Sequence, residues 1–285
     1  MIILIEYGRL GNQLFQYAAL KSIAQDEQLY LVGFDALKAV FDDIEAKFLT
    51  KSSSLIYRLL KKTRPHLNHL LGTIPLFNYV KEYSSENKRY LEYKSGFISQ
   101  VAYCDNLFCQ SEDFFNPSVI DSLKIKSHFM QKAKEKLDPI YSHDQTPIFV
   151  HVRRGDYCRW PSVEAPAILP ANWYNGCITE MQQRYENPFF IFTSDDVPYL
   201  KDLFSNVENS IISEGTQEED FALMTLCQGG ILSASSFSWW AAYFAHREHS
   251  EGVFFAPWYW SGHRMNKWHP SLNIQSRFLE YISVR

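Results

Sequence analysis

The residues with the clearest chemical potential are two adjacent arginines, Arg153 and Arg154, in the stretch 150–157. Each guanidinium offers a planar fork of N–H donors and stays charged at any working pH, so the pair suits a phosphate group. His151 precedes the pair and Asp156 follows it. Asp156 could orient one fork or act as a carboxylate in the chemistry. The pattern alone also fits a surface ion pair, but the neighbouring motifs favour a phosphate.

Two other polar groups point to the same kind of ligand. Ser235, Ser236 and Ser238 precede a predicted helix, where hydroxyls and backbone N–H groups can face a phosphate together. Asp195 and Asp196 could accept hydrogen bonds from a guanine edge or a ribose. Simple capping of a helix is the alternative interpretation for both groups.

The sequence has no pattern typical of a metal site. His246 and His249 lie three residues apart without a third ligand, and the His-Glu-x-x-His and Asp-x-Asp motifs are absent. Charge that develops on a leaving pyrophosphate can be stabilised by Mg²⁺ or by fixed donors, and the missing metal motif favours fixed donors. The sequence offers four such donors, which are Arg153, Arg154, Asn12 and Ser236.

The elements that must position these residues are strands of a parallel sheet. Polar loops follow the predicted strands that end near Ile5, Val152, Phe192, Leu232 and Phe255, and helical patterns separate the strands. Alternating strands and helices predict a doubly wound α/β sheet, which gathers the carboxyl ends of its strands at one edge. We expect a cleft there for a phosphorylated ligand.

The first of these loops, Gly8-Arg9-Leu10-Gly11-Asn12-Gln13, joins a strand to a helix. It lacks the Gly-Lys-Ser/Thr ending of a P-loop and is not a Gly-x-Gly-x-x-Gly motif. A glycine turn before a helix is usually structural, but Arg9 and Asn12 add donors for an anion.

Composition limits the class of protein. The 285 residues are 46% hydrophobic and 16% aromatic, which predicts a folded chain, and the net charge of −4 argues against a general nucleic-acid partner. Five cysteines without paired spacing favour a reducing compartment. The sequence shows no signal peptide and no apolar run near the roughly 20 residues of a membrane span. A cytoplasmic location is therefore expected.

Two domains are predicted, 1–145 and 146–285, with a linker at 140–147. The basic segment 51–64 has two interpretations. It is either an amphipathic helix packed on the first domain, or a contact with an anionic surface such as the inner face of a membrane or a charged acceptor.

Three motifs carry a resemblance to a known family. Segments 8–17, 151–157 and 235–240 together resemble the α-1,2-fucosyltransferases of bacterial O-antigen and animal H-antigen synthesis, and segment 109–115 resembles that family's Gln-Ser-Glu-x-Tyr-Phe stretch. The first motif also resembles the protein O-fucosyltransferases. The resemblance implies a GT-B-like fold of two Rossmann-like domains with a cleft between them. It also implies GDP-β-L-fucose as donor, terminal galactose as acceptor, inversion to an α-1,2 linkage, and no metal.

The resemblance also implies roles for individual residues. Arg153 would hold the β-phosphate, His151 would lie beside the nucleotide, and Asn12 would lie near the fucose and the leaving oxygen. Asp195 or Asp196 would meet the guanine, and Ser235 or Ser236 the phosphates. The residues implied in donor binding are Arg9, Gly11, His151, Arg154, Asp195, Asp196, Ser235, Ser236 and Phe237.

The base that takes the acceptor proton is left open among Asp156, Glu164 and Glu6. Where many family members carry Gly-Gly, this chain has Tyr7-Gly8-Arg9. Glu6 is therefore an unusual acid near the site. A different class, a nucleotide-sugar or glycan-binding protein without turnover, is the main alternative. A phosphate-ester hydrolase is a third possibility, but the sequence lacks the nucleophile motif and the metal ligands that such an enzyme needs.

Overall fold

A computed structural model describes residues 1–24, 27–49, 76–84, 89–104, 107–260, 262–266 and 275–284, together with residues 55, 57–59, 61–63 and 66. The chain divides into two compact units, Met1–Lys124 and Ile125–Arg285. Each unit contains one large, mainly parallel sheet, as the alternation of strands and helices predicts.

The sheet of the first unit has, in the described residues, six strands. In chain order they are β1 (Ile2–Ile5), β2 (Leu29–Val32), β4 (Lys47–Leu49), β5 (Phe77–Ser84), β6 (Arg89–Lys94) and β7 (Ile98–Cys104). Their spatial order is β4-β2-β1-β7-β5-β6, and every pairing is parallel except that of β5 with β6. Two short strands, β3 (Phe41–Asp42) and β8 (Lys124–Ile125), lie outside the large sheets.

Helices cover this sheet, and the first of them begins within the glycine motif that follows β1. They are α1 (Leu10–Ala24), α2 (Asp35–Val40), a 3-10 turn (Glu112–Phe114) and α3 (Ser118–Asp121). Helix α1 is buried over most of its length, so its amino terminus is held firmly beside the carboxyl end of β1. Gly8 has a positive φ of 93°, which lets the chain turn sharply between β1 and α1.

The sheet of the second unit has the order β11-β10-β9-β12-β13-β14 in the part of the chain that the structure covers. The strands are β9 (Thr146–Val152), β10 (Pro188–Ser194), β11 (Ser210–Ile212), β12 (Gly229–Ile231), β13 (Phe254–Pro257) and β14 (Glu280–Ile282). All pairings are parallel. Strand β9 is central and almost fully buried, which explains its continuous apolar run.

In the described part of this unit, five helices are long enough to cover the sheet: α4 (Ser127–Ser142), α5 (Ala171–Arg184), α6 (Val197–Phe204), α7 (Gln217–Thr225) and α8 (Ser236–Glu248). Two 3-10 turns, Gly155–Cys158 and His263–Met265, follow β9 and β13. Four polar loops identified in the sequence therefore follow parallel strands of one sheet, so their residues share one edge.

The structure differs from the sequence interpretation at the boundary between the units. The expected linker 140–147 is occupied by the end of α4 and the start of β9, and the units divide between Lys124 and Ile125. Asp138-Pro139 is a sequence pattern that usually ends a helix, but α4 continues past it, with Pro139 inside the helix. The helix packs on α7 and β9 of the second unit, and these contacts keep it together.

Much of the basic segment 51–64 lies outside the described residues, namely 51–54, 56, 60 and 64. Its described residues 57–59 and 61–63 are helical. In the described residues, no helix combines the length and hydropathy needed to cross a membrane.

Candidate active site

Arg153 lies at the carboxyl end of β9 between two carboxylates. Its Nη1 lies 2.8 Å from Oδ2 of Asp195, and its Nη2 forms an ion pair with Oδ1 of Asp156. The Arg153 side chain is 14% exposed, whereas that of Asp156 is 56% exposed. The guanidinium is therefore oriented by one sheltered contact and one open contact, and a ligand could replace the open one.

Arg154 is held by a different set of contacts. Its backbone N–H donates to Oδ1 of Asp195 at 2.8 Å, and its Nε lies 3.5 Å from Oδ2 of Asp196. Its guanidinium lies 3.7 Å from the centre of the Tyr199 ring, within cation–π range. The two adjacent arginines thus leave the end of β9 in fixed and separate positions.

Gly155 permits the close approach of Asp195 to this turn. Its φ is +23°, and a Cβ at this position would lie 2.4 Å from Oδ2 of Asp195. Any other residue would displace the carboxylate that orients Arg153. The glycine after the arginine pair is therefore required by the packing of the site as well as by the turn.

His151 is a neutral imidazole beside Arg153. It is 5% exposed, and its Nδ1 lies 2.7 Å from Oγ of Ser233 at the end of β12. Burial and then the nearby charge of Arg153 lower its pKa to about 3. His151 therefore adds no charge at neutral pH, but its ring can still take part in hydrogen bonds with a ligand.

The amino terminus of α8 follows β12, the neighbour of β9. Ser235 is its N-cap and accepts a hydrogen bond from the N–H of Phe237 at 3.3 Å, and Ser236 is the first helical residue. The ring of Phe237 lies 5.3 Å from that of His151. The structure thus brings the serine motif and the histidine–arginine motif together at one edge, where the helix amino terminus favours an anion.

Asp195 and Asp196 are committed to partners in this structure. Asp195 bonds Arg153 and the backbone of Arg154. Asp196 pairs with Arg154 and caps α6 by accepting from the N–H of Tyr199 at 3.2 Å. The helix-capping role that the sequence suggested for this pair is therefore present at Asp196. Contact of either carboxylate with a guanine stays a prediction.

In the first unit, Asn12 lies in the first turn of α1. Its Oδ1 accepts a 2.7 Å hydrogen bond from Nε2 of Gln110, and a Cβ on Gly8 would lie 2.2 Å from its Nδ2. Arg9 is exposed and Gly11 is buried. The Asn12 amide is therefore fixed from two sides.

The three carboxylates proposed as base have different surroundings. Glu6 is 4% exposed, and its Oε1 accepts from the hydroxyl of Tyr57 at 2.7 Å and from Nζ of Lys61 at 3.1 Å. Glu164 is exposed, and hydrogen bonds from its own backbone N–H and from Ser162 lower its pKa. Asp156 pairs with Arg153. Glu6 is thus the one that is both buried and engaged.

The sequence analysis missed a buried carboxyl group near the same edge. Asp220, in the first turn of α7, is 6% exposed and accepts a 2.6 Å hydrogen bond from Oγ of Ser213, which follows β11. Burial raises its pKa to about 6. The available signal was the Thr216–Glu219 capping box, which marks the start of α7 and places Asp220 one residue further.

Among the residues that the structure describes, no group of three or more His, Cys, Asp or Glu side chains could hold a metal ion. The described histidines His246 and His249 are not part of such a group.

Solved structures show the fold class. The chain is similar to the fucosyltransferase NodZ from Bradyrhizobium, with a TM-score of 0.51 and 12% identity over 86% of this chain and 92% of that chain. It is equally similar to POFUT1 in complex with GDP-fucose, with a TM-score of 0.51 and 12% identity over 89% and 97%. Parallel α/β sheets in both units and this likeness define a protein with a GT-B-like fold, as predicted. The sequence profile described as Glycosyl transferase family 11 matches residues 3–271, and the chain belongs to this family.

Curated relatives agree with the family. A bovine (Bos taurus) protein named galactoside 2-alpha-L-fucosyltransferase SEC1 is 23% identical over 250 residues, which are 84% of this chain. The chain covers 62% of the length of that relative. The O-antigen biosynthesis glycosyltransferase WbnK of Escherichia coli is 23% identical over 83% of this chain and 87% of its own length. The family resemblance inferred from the motifs is confirmed.

Proposed function

We propose that this protein transfers L-fucose from GDP-β-L-fucose to the 2-hydroxyl of a terminal galactose on an oligosaccharide, with inversion to an α-1,2 linkage. The observation that carries the proposal is the Arg153 guanidinium, held at the end of β9 by Asp195 and the exposed Asp156. The amino terminus of α8 follows the neighbouring strand. These are the fixed positive groups that a nucleoside diphosphate requires.

Family membership and the names of relatives support the choice of substrates. Relatives are named galactoside fucosyltransferases, and a POFUT1 structure contains GDP-fucose. The chain spans 62% of the length of the bovine relative. The activity of that whole protein is therefore proposed for this chain and is not a finding.

The proposed reaction needs one bond to form and one to break. The acceptor oxygen attacks C1 of fucose, the bond between C1 and the β-phosphate oxygen breaks, and GDP leaves with the bonding electrons. Negative charge grows on that oxygen as the bond lengthens, so a fixed guanidinium near it stabilises the transition state more than the bound substrate. Arg153 has this role, and Asn12 is the proposed second donor to the sugar side.

Arg153 can accept a phosphate without leaving its position. Its contact with the exposed Asp156 can be exchanged for phosphate oxygens, while the contact with the more sheltered Asp195 persists. Ser235 and Ser236, with the N–H groups at the start of α8, would bind the phosphates, and His151 and Phe237 would lie beside the nucleotide. Arg9, Gly11, Arg154, Asp195 and Asp196 complete the proposed donor site.

The acceptor proton requires a base on the side opposite the leaving group. Asp156, Glu164 and Glu6 stay the candidates. The surroundings disfavour Glu6, because its carboxylate already accepts bonds from Tyr57 and Lys61.

The decisive experiment is an acceptor panel with GDP-fucose. We expect GDP release only with galactose-terminated acceptors, and NMR of the product should show an α-1,2 linkage. With a matched acceptor whose terminal galactose lacks the 2-hydroxyl, the enzyme should release no GDP from GDP-fucose. GDP release without any acceptor would indicate a hydrolase, whereas binding of GDP-fucose without turnover with any acceptor would indicate a binding protein.

A further inference from the structure

Gln110 has a contact that the roles discussed so far do not use. The side chain is 8% exposed, and its Nε2 donates to Oδ1 of Asn12 at 2.7 Å, although the two residues lie 98 positions apart. An amide presents an acceptor on one side and donors on the other. Because Gln110 occupies the acceptor side of Asn12, it determines which way the Asn12 amide is turned.

Gln110 is itself placed by the partly buried carboxylate of Glu82 on β5. Oε2 of Glu82 accepts hydrogen bonds from the N–H groups of Phe108 at 2.7 Å and Cys109 at 2.9 Å. Cys109 has a φ of +50°, a conformation that a residue with a Cβ adopts only when its surroundings hold it. Burial raises the pKa of Glu82, so this carboxyl group is kept there at a cost in stability.

The residues that follow Gln110 in the chain are also held in place. Ser111, 2% exposed, caps the 3-10 turn by accepting from the N–H of Asp113, and Arg89 forms an ion pair with Asp113 at 2.6 Å. The segment is therefore fixed on both sides of Gln110. Such rigidity exceeds what a surface loop needs and is the arrangement expected behind a ligand-contacting side chain.

We infer that Gln110 is a positioning residue that fixes the amide of Asn12 for the reacting sugar, and that Glu82 positions Gln110. This inference rests on the proposed function, in which Asn12 stabilises the leaving group. With Gln110 in place the donor side of Asn12 is set before the substrate binds. Without it, the amide can rotate and present its oxygen to a negatively charged group.

The test is a double-mutant cycle on the full chain. Gln110→Glu keeps the shape but removes the donor, so the Asn12 amide should turn over, and kcat should fall about 10- to 100-fold with little change in the KM for GDP-fucose. Asn12→Ala should lower kcat by about 10²–10³-fold. In the Asn12→Ala background, Gln110→Glu should change kcat by less than about threefold, since the residue through which it acts is gone.

Two control changes separate positioning from folding. Gln183→Glu makes the same chemical change at an exposed position of α5 and should keep kcat within about threefold of the wild type. Glu82→Gln keeps an oxygen for the two N–H groups and should retain most of kcat, whereas Glu82→Leu should behave like Gln110→Glu. If Gln110→Glu fails to fold, Gln110→Met removes the donor without adding a charge.

The outcomes are distinct. If the wild-type protein transfers fucose and both Gln110→Glu and Gln110→Met keep its kcat, the positioning role is overturned and the proposed function stays intact. Losses that multiply fully in the double variant also overturn it, because they indicate a general structural effect. No fucosyl transfer by the wild-type protein with any acceptor overturns the proposed function and this inference together.

Discussion

Single residues at the end of β9 show how the same guanidinium can be both well held and available. Arg153 contacts one carboxylate that is about one quarter exposed, Asp195 at 27%, and one that is mostly exposed, Asp156 at 56%. An exposed ion pair is worth little in water, so its exchange for a phosphate costs little. The sheltered pair keeps the fork oriented through that exchange.

We expect Arg153→Ala to lower kcat with GDP-fucose by about 10²–10³-fold while the protein stays folded, because one fixed donor to the leaving oxygen is lost. Arg153→Lys should recover little of the rate, since an ammonium cannot contact Asp195 and a phosphate oxygen with a planar fork. Initial rates and thermal melts of both variants are the measurement.

Arg159→Ala is the matched control for the Arg153 variants, because Arg159 is an exposed arginine of the same loop. It should keep kcat within about threefold. Near-normal turnover by a folded Arg153→Ala protein would remove Arg153 from the mechanism.

The sequence identified which residues belong to the candidate site better than it predicted the contacts between them. The pairing of Asp156 with an arginine was considered from the sequence, and the ion pair is present. The contact of His151 with Ser233 and that of Asn12 with Gln110 join residues 82 and 98 positions apart. Such pairs follow from the way strands and turns pack, which no local pattern contains.

Among the elements, long helices and buried strands were predicted well, and irregular elements were not. Strand β9 and helix α8 appear near their predicted positions because their apolar patterns are long. The strands of the β5–β6 hairpin could not be predicted from hydrophobic alternation, since their residues alternate little between buried and exposed. Pro139 within α4 shows packing overriding a local stop signal.

Helix α7 carries a stability effect that sequence patterns do not reveal. Burial raises the pKa of Asp220 to about 6, while its bond from Ser213 and the charge of Lys136 oppose the shift. Glu219 beside it adds a smaller effect in the same direction as burial. A carboxyl group whose pKa is higher in the folded than in the unfolded protein destabilises the fold when it is ionised, and this cost disappears as pH falls.

We therefore expect Asp220→Asn to raise the free energy of unfolding by up to about 3 kcal/mol at pH 8. The gain should shrink as pH falls through 6 and be near zero at pH 4, where the wild-type group is mostly neutral in the folded protein. Urea unfolding of both proteins at several pH values measures the difference.

Asp202→Asn, at an exposed position of α6, is the control for Asp220→Asn and should shift stability by less than about 0.5 kcal/mol at either pH. A stability difference for Asp220→Asn that does not depend on pH would contradict the raised pKa.

For the whole molecule, the fold class could be predicted because strands and helices alternate along most of the chain. The boundary between units could not, because α4 lies between the two sheets in sequence and joins the second unit only through its packing on α7 and β9. Membrane contact by segment 51–64 stays a prediction. Lys61, one of its basic residues, pairs with Glu6, which favours the interpretation in which the segment packs on the first unit.

The activity of the whole protein should not depend on a divalent cation. Asp195 and Asp196, an adjacent acid pair at the edge of the second sheet, are already engaged by Arg153 and Arg154. A metal ion placed between these carboxylates would lie close to two guanidinium groups and would have to break both ion pairs. Mg²⁺ also gives up its bound water reluctantly, whereas the arginines supply positive charge without that cost.

We expect the initial rate of fucosyl transfer in excess EDTA, after exhaustive dialysis, to stay within about twofold of the rate without chelator. A metal-dependent glycosyltransferase assayed in the same buffer confirms that chelation is complete. Added Mg²⁺ can still raise multiple-turnover rates if it speeds the release of GDP, so single-turnover rates are compared as well. Loss of the single-turnover rate in EDTA, restored by Mg²⁺ or Mn²⁺, would overturn the arginine account and make Asp195 and Asp196 the metal ligands to test.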